Sequence, residues 1–121
     1  MNAKRDIMNE PFQIDAERIS ADLKIRPDIY LRIVKSFAGT LKEKIAELEA
    51  ALQVMDKETM RRILHEIKGT ASNLRLVSIN EAENLMHVEV KGMADPVKLA
   101  EYLVLLKGES DKFSEYINKT P

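Results

Sequence analysis

Apolar residues recur along this chain at steps of three and four, and no apolar–polar alternation persists long enough to suggest a strand. The sharpest stripe is Met60, Ile63, Leu64, Ile67, Ala71 and Leu74. At about 100° per residue these positions fall within about 60° of one line, which predicts a helix with one core-facing side. Asp56 is placed to cap that helix, and its end is expected near Leu74 or Leu76. A longer amphipathic helix is predicted from Pro27 to about Val54. Val34, Phe37, Leu41, Ile45, Leu48 and Leu52 form its apolar side, while Lys42, Glu43, Lys44, Glu47 and Glu49 fall mostly opposite. Gly39 within it reads as the site of a close helix crossing.

Upstream, Asp15 caps a short helix from Ala16 to about Lys24, with Ile14, Ile19 and Leu23 lying as a flap over one end of the core. Downstream, Ser78 and Glu81 have the spacing of a capping box, and the helix they open is expected to reach Lys91 with Gly92 just past its end. Asp95-Pro96 opens a last helix. Val97, Ala100, Leu103, Val104, Phe113 and Ile117 are its expected buried positions, and Gly108 is where it would bend or be interrupted. Met55, Met60, Met86 and Met93 read as core filling. Short loops between long helices make consecutive helices antiparallel. The expected fold is therefore all-α, an up-down-up-down antiparallel four-helix bundle with a short additional N-terminal helix. Residues 1–12 are expected as a loosely ordered lead-in and residues 13–121 as the bundle.

The candidate chemistry lies on the outward face of the central helix. With Ile67 at the middle of the buried stripe, His65 points about 160° away, into water. Lys68 lies three residues on, within side-chain reach along a helix, and Gly69 lies one full turn on. A helix-interior glycine costs about 1 kcal/mol relative to alanine. With Gly69, Thr70, Ala71 and Ser72 all small, the surface beyond His65 is low enough for a large partner to approach the imidazole. Arg61, Arg62 and Lys68 make the surroundings cationic, suited to steering an acidic partner. His87 lacks such a neighbourhood and is assigned to the surface or to helix packing. The two histidines share no helical face and have no companion ligand set, so they are not read as a metal pair.

His65-Glu-Ile-Lys68-Gly69-Thr-Ala71-Ser-Asn73-Leu74 resembles the H-x-x-K-G-x-A-x-N-L signature of histidine-containing phosphotransfer (HPt) domains. The resemblance covers roughly Ile14 to Ile117 through the order and lengths of the helices. It departs at Arg75, where many members carry a small residue or glycine. The resemblance implies a phosphoryl relay in a two-component phosphorelay. The neutral imidazole of His65, expected to react through Nε2, attacks the phosphorus of an aspartyl phosphate on a receiver domain and later passes the group to another receiver. Lys68 would stabilise charge on the phosphoryl oxygens. Gly69, Ser72, Arg61 and Arg62 would form the docking surface for receiver domains of a hybrid histidine kinase or a response regulator.

Composition narrows the reading further. The chain has 121 residues, enough for one domain with a single core and too few for a kinase besides. It is 45% hydrophobic and 32% charged, the balance of a globular chain rather than a disordered one. With 19 Lys+Arg against 20 Asp+Glu the formal net charge is -1, which gives no reason to expect nucleic acid or an acidic membrane as partner. There is no cysteine, which excludes thiol chemistry and disulfides. Met1 to Glu10 holds no apolar run, so a cytoplasmic location is expected, and no further apolar face asks for a dimer. There is no Gly-rich phosphate loop and no acidic cluster for Mg²⁺. The expectation is a phosphorylated intermediate without autonomous kinase activity or cofactor of its own, the Mg²⁺ residing on the partner receiver.

Two alternatives stand beside this reading. One is a phosphoaccepting domain excised from a chemotaxis-type or hybrid histidine kinase, although the Met start and the end near the last helix favour a free-standing protein. The other is a regulatory bundle that binds a receiver without accepting phosphate.

Overall fold

The structure, a computed structural model, describes residues 7–120. It holds five helices in succession: α1 (Ala16–Leu23), α2 (Pro27–Gln53), α3 (Lys57–Asn73), α4 (Val77–Lys91) and α5 (Pro96–Lys119). Residues 7–9 are also helical, and no strand occurs among the described residues. The capping chemistry expected at three helix starts is present. Asp15, Asp56 and Asp95 accept hydrogen bonds from the backbone N–H groups of Arg18, Thr59 and Val97, and Pro27 and Pro96 occupy first turns.

The helix links are short because the chain reverses through single left-handed residues. Lys24, Met55, Arg75 and Ala94 have φ of 60°, 51°, 60° and 51°, and none is glycine. After the first three, the next residue's N–H reaches back five positions, from Ile25 to Ser20, Asp56 to Ala51 and Leu76 to Ala71. These are the bonds that satisfy orphan carbonyls at a helix C-terminus. The third link revises the expected start of α4. Leu76 is drawn into the core and becomes the N-cap residue without a side-chain bond, so α4 begins at Val77 and Ser78 is already inside it. The Ser78–Glu81 pair is therefore not a capping box. Gly92 does follow the last residue of α4, as its C-cap.

Helices α2, α3, α4 and α5 pack in a closed ring, α2 on α3, α3 on α4, α4 on α5 and α5 back on α2, while α1 lies on α2. The core runs down the middle of that ring. The predicted stripe of α3 is buried throughout, and so are Val34, Phe37, Leu41, Ile45 and Leu48 of α2. On α5 the expected face is partly wrong. Leu103, Phe113 and Ile117 are buried, but Val97 is 68% exposed, Val104 is 69% exposed, and Ala100 is exposed as well. The inward line is Leu99, Leu103, Leu106, Ser110, Phe113 and Ile117, which repeats at three and four without those residues. Met93, expected as core filling, is 89% exposed beside the α4–α5 link. Gly108 does not interrupt α5.

The segment before α1 also departs from expectation. Residues 1–6 of the anticipated lead-in lie outside the described residues, but residues 7–12 are tied down rather than loose. Ile7 and Phe12 belong to the core. Lys112 on α5 donates through Nζ to the carbonyls of Ile7, Met8 and Glu10 at 2.9, 3.2 and 3.0 Å, and to Glu109 Oε1 at 2.8 Å. Phe12 stacks on Phe113 with ring centroids 5.0 Å apart. An isolated Ile and Phe among polar residues carry no periodicity, so nothing local in the sequence announces this packing. Gly39 corrects a further expectation: a Cβ there would meet nothing within 4 Å, so no helix crosses closely at that point.

One buried bond ties α2 to the C-terminal end of the motif helix. The Tyr30 hydroxyl donates to the Leu74 carbonyl at 2.6 Å, across 44 residues of sequence, and burial pushes the phenol up to about 12. Tyr30→Phe leaves that carbonyl unsatisfied and is expected to cost about 1–2 kcal/mol. Urea unfolding would show it as a lower midpoint at unchanged slope.

Candidate functional site

Helix α3 carries the site because its sequence divides cleanly by face. Met60, Ile63, Leu64, Ile67 and Ala71 are fully buried, and the same turns put Arg61, Arg62, His65, Lys68, Gly69 and Ser72 in solvent. Arg62 is not free: its guanidinium meets Glu66 at 3.2 Å, and Lys44 of α2 reaches the same carboxylate at 3.2 Å. Ser72 Oγ accepts a hydrogen bond from Asn80 Nδ2 of α4 at 2.9 Å. Asn73 ends the helix, and its carbonyl with that of Ser72 accepts from the Arg75 guanidinium at 3.1 and 3.2 Å. Arg75 thus caps α3 while adopting the left-handed backbone that glycine would hold with less strain.

Gly69 has open space where its Cβ would be, with nothing beyond its own stretch of helix backbone within 4 Å. Nothing inside the molecule therefore requires glycine at this helix position. Its cost to the helix is unmatched by any internal contact.

The structure groups the expected residues unevenly. Arg61, Arg62 and His65 line an open cleft of about 360 Å³ between α3 and α4, shared with Glu58, His87 and Lys91. Lys68, Gly69 and Ser72 lie beyond its lining. Lys68 is near enough to act electrostatically on both Glu83 and His87 of α4. Among the described residues no group of three or more His, Asp or Glu side chains could hold a metal ion, and no helix is long and apolar enough to cross a membrane.

Sequence reasoning missed the α4 side of this cleft. His87 is 5% exposed and Glu83 is fully buried, and Glu83 Oε1 lies 2.7 Å from His87 Nδ1. The other carboxyl oxygen of Glu83 is sealed without a hydrogen-bond partner among the described residues. Burial pushes the Glu83 carboxyl up to about 7, against the opposing pull of Lys68 and Lys91. Burial also holds the His87 imidazole below its ordinary value, helped by Lys91, Lys68, His65 and Arg61. Both shifts favour the uncharged pair, a carboxylic acid against a neutral imidazole. The i,i+4 spacing of Glu83 and His87, beside the inward positions Met86 and Val90, was the available signal.

The family model described as Hpt domain matches residues 32–109, which span α3, α4 and the cleft between them. Searches of the curated proteins and of the solved structures gave no match.

The buried carboxyl makes stability depend on pH. The folded-state value of Glu83, about 7, lies above its unfolded value of 4.5, so the carboxyl's contribution is complete below 4.5 and is lost as pH rises toward 7. Glu83→Gln removes that loss. Its stability relative to the parent protein is expected to climb by on the order of 2 kcal/mol between those limits and then level off. Urea midpoints across this range measure the trend, and a difference independent of pH would show that Glu83 is ionised in the folded protein.

Proposed function

The chain belongs to the Hpt domain family, and from that premise we propose that His65 carries a phosphoryl group between receiver domains. Membership implies histidine phosphotransfer in two-component signalling, and Hpt domains interact with receiver domains in phosphorelays. What supports His65 as the acceptor is its position on the solvent face of α3, at the mouth of a cationic cleft, with an open glycine one turn on. The closed ring of α2 to α5 and its short links support the up-down-up-down four-helix arrangement.

In the proposed relay a neutral imidazole nitrogen of His65 attacks the phosphorus of a receiver's aspartyl phosphate. A P–N bond forms as the acyl P–O bond breaks, and the aspartate leaves as carboxylate. Arg61, Lys91 and the Glu66-paired Arg62 bring positive charge to the cleft beside Glu58, and Lys68 stands three residues on from His65. This balance favours the acidic receiver pocket at encounter and the phosphoryl oxygens at transfer. The receiver supplies Mg²⁺. Gly69 keeps the surface flat so that the receiver can bring its aspartate to the imidazole.

Incubation with a phosphorylated receiver and Mg²⁺ is expected to place base-stable, acid-labile phosphate on the protein and none on His65→Gln. Label that persists on a folded His65→Gln chain would assign the phosphate elsewhere. A chain that binds receivers without label is a regulatory bundle, and one labelled only by an ATP-loaded kinase core is a kinase's phosphoaccepting domain. Gly69→Ala separates folding from docking. It should raise stability by about 0.5–1 kcal/mol while slowing transfer from the receiver, whereas equal or faster transfer would show that the glycine is not needed for approach.

A further inference from the structure

The cleft at His65 has a second wall, and a buried pair organises it. His87 Nδ1 lies 2.7 Å from Glu83 Oε1, which leaves Nε2 as the ring nitrogen available to a further partner, on a residue that lines the cleft together with His65. We propose that His87 is a positioning residue for phosphotransfer: held by Glu83, it presents Nε2–H from α4 to an oxygen of the phosphoryl group on His65. The proposal rests on the phosphotransfer reading and adds to it a residue on the opposite helix.

The hydrogen-bond logic follows from donor and acceptor counts. A neutral imidazole has one N–H and one lone pair. If Glu83 holds a proton, it donates to Nδ1, and Nε2 carries the hydrogen and can donate to an anion. If Glu83 is a carboxylate, it accepts from Nδ1–H, and Nε2 turns a lone pair toward the phosphoryl oxygens. The sealed environment of Glu83, with Oε2 lacking a partner, favours the protonated carboxyl. Negative charge arriving in the cleft favours the same arrangement. Lys68 of α3 and Lys91 of α4 act on both members of the pair, Arg61 and His65 of α3 act on His87, and Glu58 of α3 lines the same cleft. The two lysines oppose a proton on Glu83, whereas a phosphoryl dianion offsets them. Phosphorylation and the donor tautomer of His87 therefore reinforce each other.

Potassium phosphoramidate tests this without a cognate receiver. Its P–N bond breaks, ammonia departs, and a new P–N bond forms to His65. The rate of phosphohistidine formation is expected to fall about tenfold in His87→Leu, the scale of one hydrogen bond to a charged group. It should return to within about threefold of the parent rate in His87→Gln, whose amide can donate. Because the donor form needs the Glu83 proton, the parent rate divided by the His87→Gln rate should decline as pH rises through about 7, a trend a purely structural histidine would not give. Imidazole ¹⁵N spectra of the parent protein should show the Nε2–H tautomer of His87 after phosphorylation, and this readout holds even if His87→Leu does not fold. Phosphorylation at the parent rate in folded His87→Leu, or an Nδ1–H tautomer in the phosphorylated protein, overturns the role of His87 and leaves the relay standing. Failure of the parent protein to take phosphate on His65 from either phosphoramidate or receivers overturns both.

Discussion

A helix turns about 100° per residue, and that single fact ties the core of this protein to its chemistry. Complete burial of Met60, Ile63, Leu64, Ile67 and Ala71 leaves no rotational freedom to α3. Any roll of the helix that exposed His65 further would drag a large apolar side chain out of a close-packed interior. The imidazole is thus aimed by residues on the far side of its own helix. Tyr30 adds an axial constraint, because its bond to the Leu74 carbonyl fixes where the last turn of α3 sits against α2. Arg75 then reverses the chain at once, so that α4 returns alongside and supplies the cleft's other wall.

The arrangement tolerates several local costs. Gly69 weakens α3 and meets nothing inside the molecule. Four non-glycine residues hold left-handed backbone at the links, each costing roughly 1–2 kcal/mol in an isolated chain. The links differ from Gly69 in their compensation. There, backbone bonds reaching back five residues satisfy the helix ends and short connections keep the ring closed. At Gly69 no internal compensation exists. The open surface it leaves lies one turn from His65, where the proposed relay would bring a receiver.

Much of this was legible in sequence, for reasons that differ by region. The faces of α2 and α3 could be read because their apolar periods are strong and uninterrupted, and the Asp caps are local signals whose partners lie three residues away or fewer. The face of α5 was misjudged because Val97, Ala100 and Val104 also repeat at helical spacing. Period alone cannot say which of two stripes meets the other helices. The burial of Ile7 and Phe12 depends on Lys112 and Phe113, about a hundred residues away, and local pattern carries no trace of such partners. Glu83 and His87 were hidden for another reason. Charged residues are expected on the surface, and only the packing of α4 on α3 and α5 shows that these two lie inside.

That buried pair also explains how a site can be polar without unravelling the bundle. A buried carboxylate alone is expensive, and a buried imidazolium likewise. Placed 2.7 Å apart, the two groups share one hydrogen bond in either protonation arrangement. The pair stays neutral overall whether Glu83 keeps its proton or gives it to His87. Moving that proton turns the imidazole from a neutral N–H donor into a cationic one and leaves the net charge of the pair unchanged. A surface lysine in the same place would offer positive charge permanently and would have to be held by entropy-costly contacts. A histidine backed by a carboxyl in the core is already oriented, and in the proposed relay it would meet a phosphoryl group without rearrangement of the pair.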